Sequence, residues 1–302
     1  MNSAIITGAT GAIGHALIDE LIKNNVKVLV LAREESGRNS TITRHPLVEV
    51  RSCSLEQLES LENTEGESYD VFYHLAWSGT TGAARNDMQL QNRNVKYTLD
   101  AVEAAKRFSC RKFIGAGSQA EYGRFDGKLK ADTPAFPENG YGMAKLCAGQ
   151  MSRVLCSQCG MEHIWFRVLS VYGPFDGEGS MVTSTINKLK QGIVPEFTRG
   201  EQIWDYLYSG DAGRAFATAG ERGKDGKIYV LGSGQGRPLS EYIEMIRNVV
   251  APGAELGLGR LPYAANQVMH LEADISGTEE DLDFRPQVSF EDGIRQILKS
   301  QE

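Results

Sequence analysis

Short apolar runs alternate along the chain with segments in which apolar residues recur every three or four positions. The runs predict strands directly before Gly8 and at 26–31, 47–51, 70–75, 112–115 and 163–168. The longest helical patterns cover 87–107 and 141–159. Because strands and helices alternate, the pattern predicts an α/β fold, a doubly wound parallel sheet whose carboxyl edge is covered by a smaller C-terminal part.

Three evenly spaced glycines join the first predicted strand to the first predicted helix. They stand in Gly8-Ala9-Thr10-Gly11-Ala12-Ile13-Gly14. A strand, glycine turn and helix in this order direct backbone N–H groups and a helix N-terminus at a phosphate, as in a Rossmann unit. The spacing differs from the commoner G-x-G-x-x-G. We expect a dinucleotide here, with the following cofactor contacts: Gly8, Thr10, Gly11, Ala12 and Ile13.

The end of the second predicted strand bears on the choice of cofactor. An acidic residue at this point typically binds the ribose 2′-hydroxyl of NAD, whereas an arginine favours the 2′-phosphate of NADP. This chain has Ala32 and Arg33 there, so we expect NADP. Glu34 and Glu35 are close enough to keep NAD open, and a solvated loop charge is the competing interpretation of Arg33.

The alternation loosens after residue 172. Helical patterns at 181–191, 211–221 and 239–250 are interspersed with an aromatic extended run at 203–208 and a strand at 227–231, and two short helices follow Asp274. We therefore expect residues 1–172 to form an NAD(P)-binding Rossmann domain to which 203–235 returns. Residues 173–302 are expected to form mainly a substrate-binding domain.

Composition narrows the class of protein. The chain has 302 residues, 41% of them hydrophobic, and a net charge of −7. This charge argues against a general binder of nucleic acid or of anionic membranes. The chain has no apolar run of membrane-spanning length, no expected signal peptide, and five dispersed cysteines, which together favour a cytoplasmic protein with reduced thiols. Cys156 and Cys159 are expected to be helix residues rather than metal ligands, and no metal site is expected.

Tyr141 and Lys145 are the candidates for acid–base chemistry. They are four residues apart at the start of one predicted helix and therefore share a face. A neighbouring ammonium stabilises a phenolate and lowers its pKa, so that the tyrosine can exchange a proton with a carbonyl oxygen near neutral pH. Ser118, after the fifth predicted strand, could donate a hydrogen bond to the same oxygen.

The order of these motifs resembles the extended short-chain dehydrogenase/reductases of the sugar-nucleotide epimerase/dehydratase superfamily. The resemblance covers nearly the whole chain and rests on the following residues: 7–14, His74-Leu75-Ala76, Asn94, Ser118 with Glu121-Tyr122-Gly123, Tyr141 with Lys145, Arg167, Tyr172-Gly173-Pro174 and Asp205-Tyr206-Leu207-Tyr208.

The resemblance implies a role for each matching residue. Tyr141 would be the acid/base and a cofactor contact, Lys145 its electrostatic partner and a ribose ligand, and Ser118 the carbonyl donor. Leu75 and Ala76 would contact the cofactor, and Asn94 would be a structural or cofactor-supporting residue. The resemblance also implies a homodimer that pairs the helices at 87–107 and 141–159.

Three reactions of this superfamily are open for this chain, and the residues favour one of them. The dehydratases resemble one another in a Thr-Asp-Glu run, which is Ser118-Gln119-Ala120 here, so dehydration is disfavoured. The 4-epimerases usually have an aspartate where this chain has Ala32-Arg33. We therefore predict an NADP-dependent reductase of a nucleotide-linked 4-keto-6-deoxy sugar, with Tyr141 as proton donor during hydride transfer. An NAD-dependent nucleotide-sugar 4-epimerase and a non-catalytic NADP-binding sensor or scaffold are the alternatives.

The substrate contacts are less well defined by the resemblance. Ser170, Trp204 and Ala264 stand where the family commonly has an asparagine and two diphosphate-binding arginines. Arg260 or Arg199 could replace those charges, or the substrate is not a nucleotide diphosphate sugar. Trp204 could stack on a base or sugar, or simply pack beside aromatic residues. The candidate substrate-binding residues are Trp77, Ser78, Ser118, Gln119, Ser170, Trp204 and Arg260.

Overall fold

A computed structural model describes residues 1–301 of the protein. The strands are, in chain order, β1 (Ser3–Thr7), β2 (Lys27–Ala32), β3 (Val48–Ser52), β4 (Val71–His74), β5 (Lys112–Ala116), β6 (Lys128–Leu129), β7 (Glu162–Val168), β8 (Ser170–Tyr172), β9 (Ile203–Trp204), β10 (Tyr206–Tyr208), β11 (Ile228–Leu231), β12 (Arg237–Pro238) and β13 (Glu272–Ala273). The α-helices are α1 (Ala12–Lys23), α2 (Met88–Arg107), α3 (Gly140–Gln158), α4 (Met181–Lys190), α5 (Ser209–Arg222), α6 (Leu239–Val250), α7 (Ser276–Leu282) and α8 (Phe290–Lys299).

The main sheet has seven parallel strands in the order β3-β2-β1-β4-β5-β7-β11. The strand order reverses between β1 and β4, which places a ligand crevice at their carboxyl ends. The predicted doubly wound α/β fold is therefore confirmed. The predicted strands and the two long helices agree with the observed ones to within about two residues at each end.

Helices cover both faces of this sheet because both faces are apolar. Successive residues of a strand point to opposite sides, so Ile6 packs in the layer that contains α1 and α5, whereas Ile5 packs in the layer with α2. This double burial explains why the strands read as continuous apolar runs rather than alternating ones. The Asp87 side chain caps α2 by accepting hydrogen bonds from the N–H groups of Gln89 and Leu90.

The C-terminal part packs over the carboxyl edge. Helices α4, α6 and α8 form a separate apolar cluster with Tyr172 and Tyr208. From the segment at 203–235, α5 packs on α1 and β11 extends the main sheet. The division of the chain after residue 172 stays a prediction.

The extended run predicted at 203–208 is divided by Asp205. This residue is fully buried, and its carboxylate accepts hydrogen bonds from the N–H groups of Ser233, Gly234 and Ala273. On one side of Asp205, β9 pairs with β12, and on the other, β10 pairs with β8. No helix within residues 1–301 has the length and apolar character needed to cross a bilayer.

Candidate active site

The glycine loop between β1 and α1 has the geometry of a phosphate cradle. Gly8 has a φ of +81°, and a Cβ atom there would lie 2.6 Å from the backbone nitrogen of Ala76. A Cβ on Gly14 would collide with the carbonyl oxygen of Gly8, so α1 packs close to β1. A Cβ on Gly11, in contrast, would lie 3.7 Å from the carbonyl oxygen of Gly8, an ordinary contact, and this glycine precedes a helix whose first turn has no side-chain cap. The free N–H groups at this helix end fit a dinucleotide pyrophosphate.

A groove of about 600 Å³ runs from this loop along the carboxyl ends of the strands. Such a volume is typical of a ligand site. The predicted contacts that line it are Gly8, Thr10, Gly11, Arg33, Leu75, Ala76, Trp77 and Ser78. Ala12 and Ile13 are in the first turn of α1 and are not among the lining side chains.

Several residues at one end of the groove were not found from the sequence: Ser36, Arg38, Asn39, Ser54 and Glu56. The Arg38 guanidinium donates hydrogen bonds to the carbonyl oxygens of Thr10 and Phe175, the latter at 2.8 Å. It therefore ties the glycine loop to the segment after β8. Arg33 lies near enough to Glu56 to help lower the pKa of that carboxyl, although the largest cause is a backbone hydrogen bond within Glu56. Arg38 could have been found from the sequence, because it is the second arginine, after Arg33, in the polar loop that follows β2.

Tyr141 and Lys145 lie beside Trp77, which lines the groove, and with Ser118 they form a cluster that is not itself part of the groove lining. Asn139 caps α3 by accepting from the N–H of Gly142, which places Tyr141 in the first turn. Ser118 follows β5, its hydroxyl accepts from the N–H of Ala120, and it is close enough to the Tyr141 phenol to help lower the pKa of that phenol. The Lys145 ammonium donates to the carbonyl oxygen of Ala116 at 2.5 Å and lies 3.8 Å from the Trp77 ring centroid.

Burial dominates the electrostatics of this cluster. It lowers the pKa of the Lys145 ammonium to about 7, with Glu121 acting in the opposite direction. Burial also raises the pKa of the Tyr141 phenol, while the neighbouring Ser118 hydroxyl and the charge of Arg85 lower it. The pKa of Tyr141 is therefore raised overall in the ligand-free protein, in contrast to the lowering that was expected from Lys145 alone.

A buried ion pair between Glu121 and Arg167 holds the backbone of Ser118 in place. The Glu121 carboxylate accepts from the Ser118 N–H at 2.8 Å, from the indole N–H of Trp165 at 3.0 Å and from Nε of Arg167 at 2.9 Å. Both ionic side chains are almost completely buried. Both carboxylate oxygens of Glu121 accept hydrogen bonds, and the Nε–H of Arg167 is paired with one of them. A buried ion pair is tolerated when its polar atoms are paired in this way.

Asn94 and Gln91 of α2 hold the loop after β4. The Asn94 amide bonds both the N–H and the carbonyl oxygen of Ser78, each at 2.9 Å. Gln91 accepts from the Trp77 indole at 2.9 Å. Asn94 is itself buried and contacts the loop rather than the groove, which agrees with the supporting role implied by the resemblance.

The other candidate substrate residues lie outside the groove lining. The Trp204 indole donates to the Ser170 hydroxyl at 2.8 Å, and its ring packs against an apolar cluster that includes Tyr122. Gln119 is in a short 3-10 turn next to Ser118. Arg260 is paired with Glu255 and with Glu196, so its charge is already compensated. Among residues 1–301, no group of three His, Cys, Asp or Glu side chains is arranged to hold a metal.

The phosphate loop and the Ser-Tyr-Lys cluster on a doubly wound sheet define an NAD(P)-dependent enzyme of the extended short-chain type. The chain belongs to the NAD-dependent epimerase/dehydratase family, whose model matches residues 4–232.

Curated relatives align with this chain over almost its full length. CDP-abequose synthase of Salmonella typhimurium is 25% identical over 98% of this chain and 97% of its own. The dTDP-4-dehydro-6-deoxyglucose reductase of Escherichia coli is 24% identical over 99% and 97%. A solved structure of UDP-glucuronic acid 4-epimerase from Bacillus cereus, in complex with UDP-glucuronic acid and NAD, has a TM-score of 0.85 at 23% identity and covers 99% of this chain and 100% of that one. This last likeness is one of fold.

Proposed function

We propose that the protein is an NADPH-dependent reductase that acts on the keto group of a nucleotide-linked 4-keto-6-deoxy sugar. The observation that carries the proposal is the pair of arginines, Arg33 and Arg38, at the end of the groove beyond the glycine loop. Guanidinium groups bind phosphate through charge-assisted hydrogen bonds, so these two suit a ribose 2′-phosphate. The similarity to a reductase of dTDP-4-dehydro-6-deoxyglucose supports the same reaction class.

The cluster near Trp77 supplies the proton chemistry of this reaction. When bound, the reduced nicotinamide supplies the hydride. Ser118 would donate a hydrogen bond to the carbonyl oxygen of the substrate, and Tyr141 would transfer its phenolic proton to that oxygen as negative charge develops on it. Lys145, enclosed by Trp77 and the Ala116 carbonyl, would stabilise the phenolate left behind.

An NAD-dependent nucleotide-sugar 4-epimerase is the second candidate, and Glu56 is the observation that favours it. This carboxylate lines the same end of the groove as Arg33. A carboxylate there could accept hydrogen bonds from the ribose hydroxyls of NAD and would repel a 2′-phosphate. The Bacillus cereus structure of similar fold holds NAD.

One experiment separates the two reactions. The purified protein is first analysed for bound nucleotide, and NADPH and NADH consumption is then followed with 4-keto-6-deoxy sugars linked to CDP, dTDP, GDP or UDP. Stoichiometric NADPH consumption supports the reductase. If the protein retains NAD and interconverts two UDP-sugars without net cofactor consumption, the reductase proposal is wrong and the epimerase is supported. Tight NADP binding without either activity would favour a sensor.

We also propose a homodimer formed through α2 and α3. Met143, Met151 and Val154 are about half exposed and, together with the exposed Cys147, follow the spacing of a single stripe along α3. Met88, at the start of α2, is 55% exposed. Large apolar side chains grouped on the surface of two adjacent helices are typical of an interface.

A further inference from the structure

The loop between β4 and α2 places an arginine directly against the candidate acid. The Arg85 guanidinium carbon lies 4.4 Å from the centroid of the Tyr141 ring. Among the described residues 1–301, the only hydrogen bond of this side chain is from Nη1 to the carbonyl oxygen of Thr80, at 3.1 Å. Within residues 1–301 no carboxylate is within ion-pair distance of Arg85, so its charge is not compensated by a neighbouring side chain.

The loop that carries Arg85 is anchored on both sides. The Gln91 amide of α2 donates to the carbonyl oxygens of Gly79 and Ala84, at 2.8 and 2.9 Å. The Asn86 side chain accepts from the N–H of Gly140, the residue before Tyr141, at 3.0 Å. These bonds fix Arg85 relative to the first turn of α3, so its position over the phenol ring is built into the fold.

We propose that Arg85 is a positioning residue for proton transfer by Tyr141, in which a permanent positive charge held against the phenol ring stabilises the phenolate. The proposal rests on the proposed function, in which Tyr141 exchanges the proton. It assigns Arg85 a role that the Ser118, Tyr141 and Lys145 cluster does not include.

Lys145 alone is a weak source of this charge. Its ammonium is enclosed, and burial lowers its pKa to about 7, so a large part of the free enzyme carries a neutral Lys145 above neutral pH. A guanidinium keeps its proton throughout the working range. A cation on an aromatic face is also attracted by the ring itself.

The charged groups that face the Tyr141 phenol come from three elements. They are Arg85 from the loop before α2, Lys145 from α3 and Glu121 from the turn after β5. Glu121 opposes phenolate formation, but its carboxylate is bound to Arg167. Removal of Arg85 therefore leaves burial and Glu121 opposed only by the neighbouring Ser118 hydroxyl and a partly neutral Lys145.

The test is a direct titration of Tyr141 in the intact protein. Tyrosine labelled with 13C at Cζ is incorporated into the wild type, Arg85→Met and Arg85→Lys, and the Tyr141 resonance is assigned by its loss in Tyr141→Phe. We expect Arg85→Met to raise the Tyr141 pKa by roughly 0.5 to 1 unit, and Arg85→Lys to raise it less. Arg222→Met is the matched control, because this exposed arginine is at the end of α5 near the amino ends of the strands.

The kinetic consequence has a fixed sign. Reduction requires the protonated phenol, so its rate falls as pH rises through the Tyr141 pKa, and Arg85→Met should move that midpoint upward. Oxidation of the product requires the phenolate and should slow about three- to tenfold at neutral pH. An unchanged resonance titration, or a uniform loss of rate with an unchanged midpoint, would overturn the role of Arg85. Full turnover by Tyr141→Phe would instead overturn the proposed function, and the titration result would stand by itself.

Discussion

The Glu121 carboxylate accepts the backbone N–H of Ser118 at 2.8 Å while its other oxygen is bound to Arg167. One buried side chain therefore joins the loop that presents Ser118 to Arg167 on β7, the strand next to the edge strand β11. The contact also limits the neighbouring residue, since a Cβ on Gly117 would collide with the same carboxylate. The position of Ser118 is thus determined by an ion pair that never touches the groove.

Glu121→Gln is expected to be strongly destabilising. The glutamine can still accept from Ser118, but its amide opposes the Nε–H of Arg167 and leaves that guanidinium buried without a counter-ion. The free energy of unfolding should fall by about 3 kcal/mol or more, as measured by urea denaturation. Glu138→Gln is the control, because Glu138 pairs with Arg124 on the surface and should cost less than about 1 kcal/mol. Equal effects of the two variants would contradict the supporting role of Glu121.

Tyr141→Phe should lower kcat by about a hundredfold or more, because the variant retains the ring and loses the transferable proton. Cofactor affinity, followed by quenching of tryptophan fluorescence, should change little. Tyr69→Phe removes another partly buried hydroxyl, which donates to Glu67 just before β4, at the amino ends of the strands and away from the candidate site, and should leave kcat near the wild-type value. A Tyr141→Phe variant with wild-type kcat would show that another group transfers the proton.

Arg33→Asp should reverse the cofactor preference. Replacing a charge-assisted phosphate contact by a carboxylate is expected to raise the KM for NADPH about tenfold or more and to leave the KM for NADH little changed. Arg44→Asp changes the net charge equally at an exposed position outside the groove lining and serves as the control. A wild type that binds NADH more tightly than NADPH would be inconsistent with a 2′-phosphate site.

Two buried histidines predict acid sensitivity. Burial lowers the pKa of His74 to about 3 and of His163 to about 4, whereas both titrate near 6.5 in the unfolded chain. Between these pKa values the unfolded state binds more protons than the folded state. The stability that the two neutral histidines contribute is therefore present in full above pH 6.5 and is lost progressively as pH falls towards 4. His163→Phe should reduce the slope of unfolding free energy against pH in this window. The same slope in both proteins would mean that other groups cause the loss.

The exposed stripe on α3 predicts the oligomeric state. Met151→Asp introduces a charge into the proposed interface, and the mass measured by light scattering should fall from that of a dimer to that of a monomer. Ile193→Arg, at another half-exposed apolar position, should leave the dimer intact. A wild type that is already monomeric at micromolar concentration would refute the interface.

The sequence by itself determined the architecture of this protein and the family to which it belongs. Apolar periodicity is a local property, and it predicted the strands of the main sheet and the two long helices. The glycine spacing predicted the phosphate loop, and the four-residue separation put Tyr141 and Lys145 on one helix face. Periodicity failed at Asp205, because the break there depends on backbone donors from residues 28 to 68 positions away.

Only the tertiary structure decided which side chains surround Tyr141. Arg85 is 56 residues from Tyr141, and Glu121 and Arg167 are 46 residues apart. Their contacts depend on how parallel strands bring successive loops to one edge of the sheet. Burial likewise acts through neighbours from several elements, and this is why the pKa of Tyr141 is raised in the free protein when the nearby lysine alone predicted the reverse.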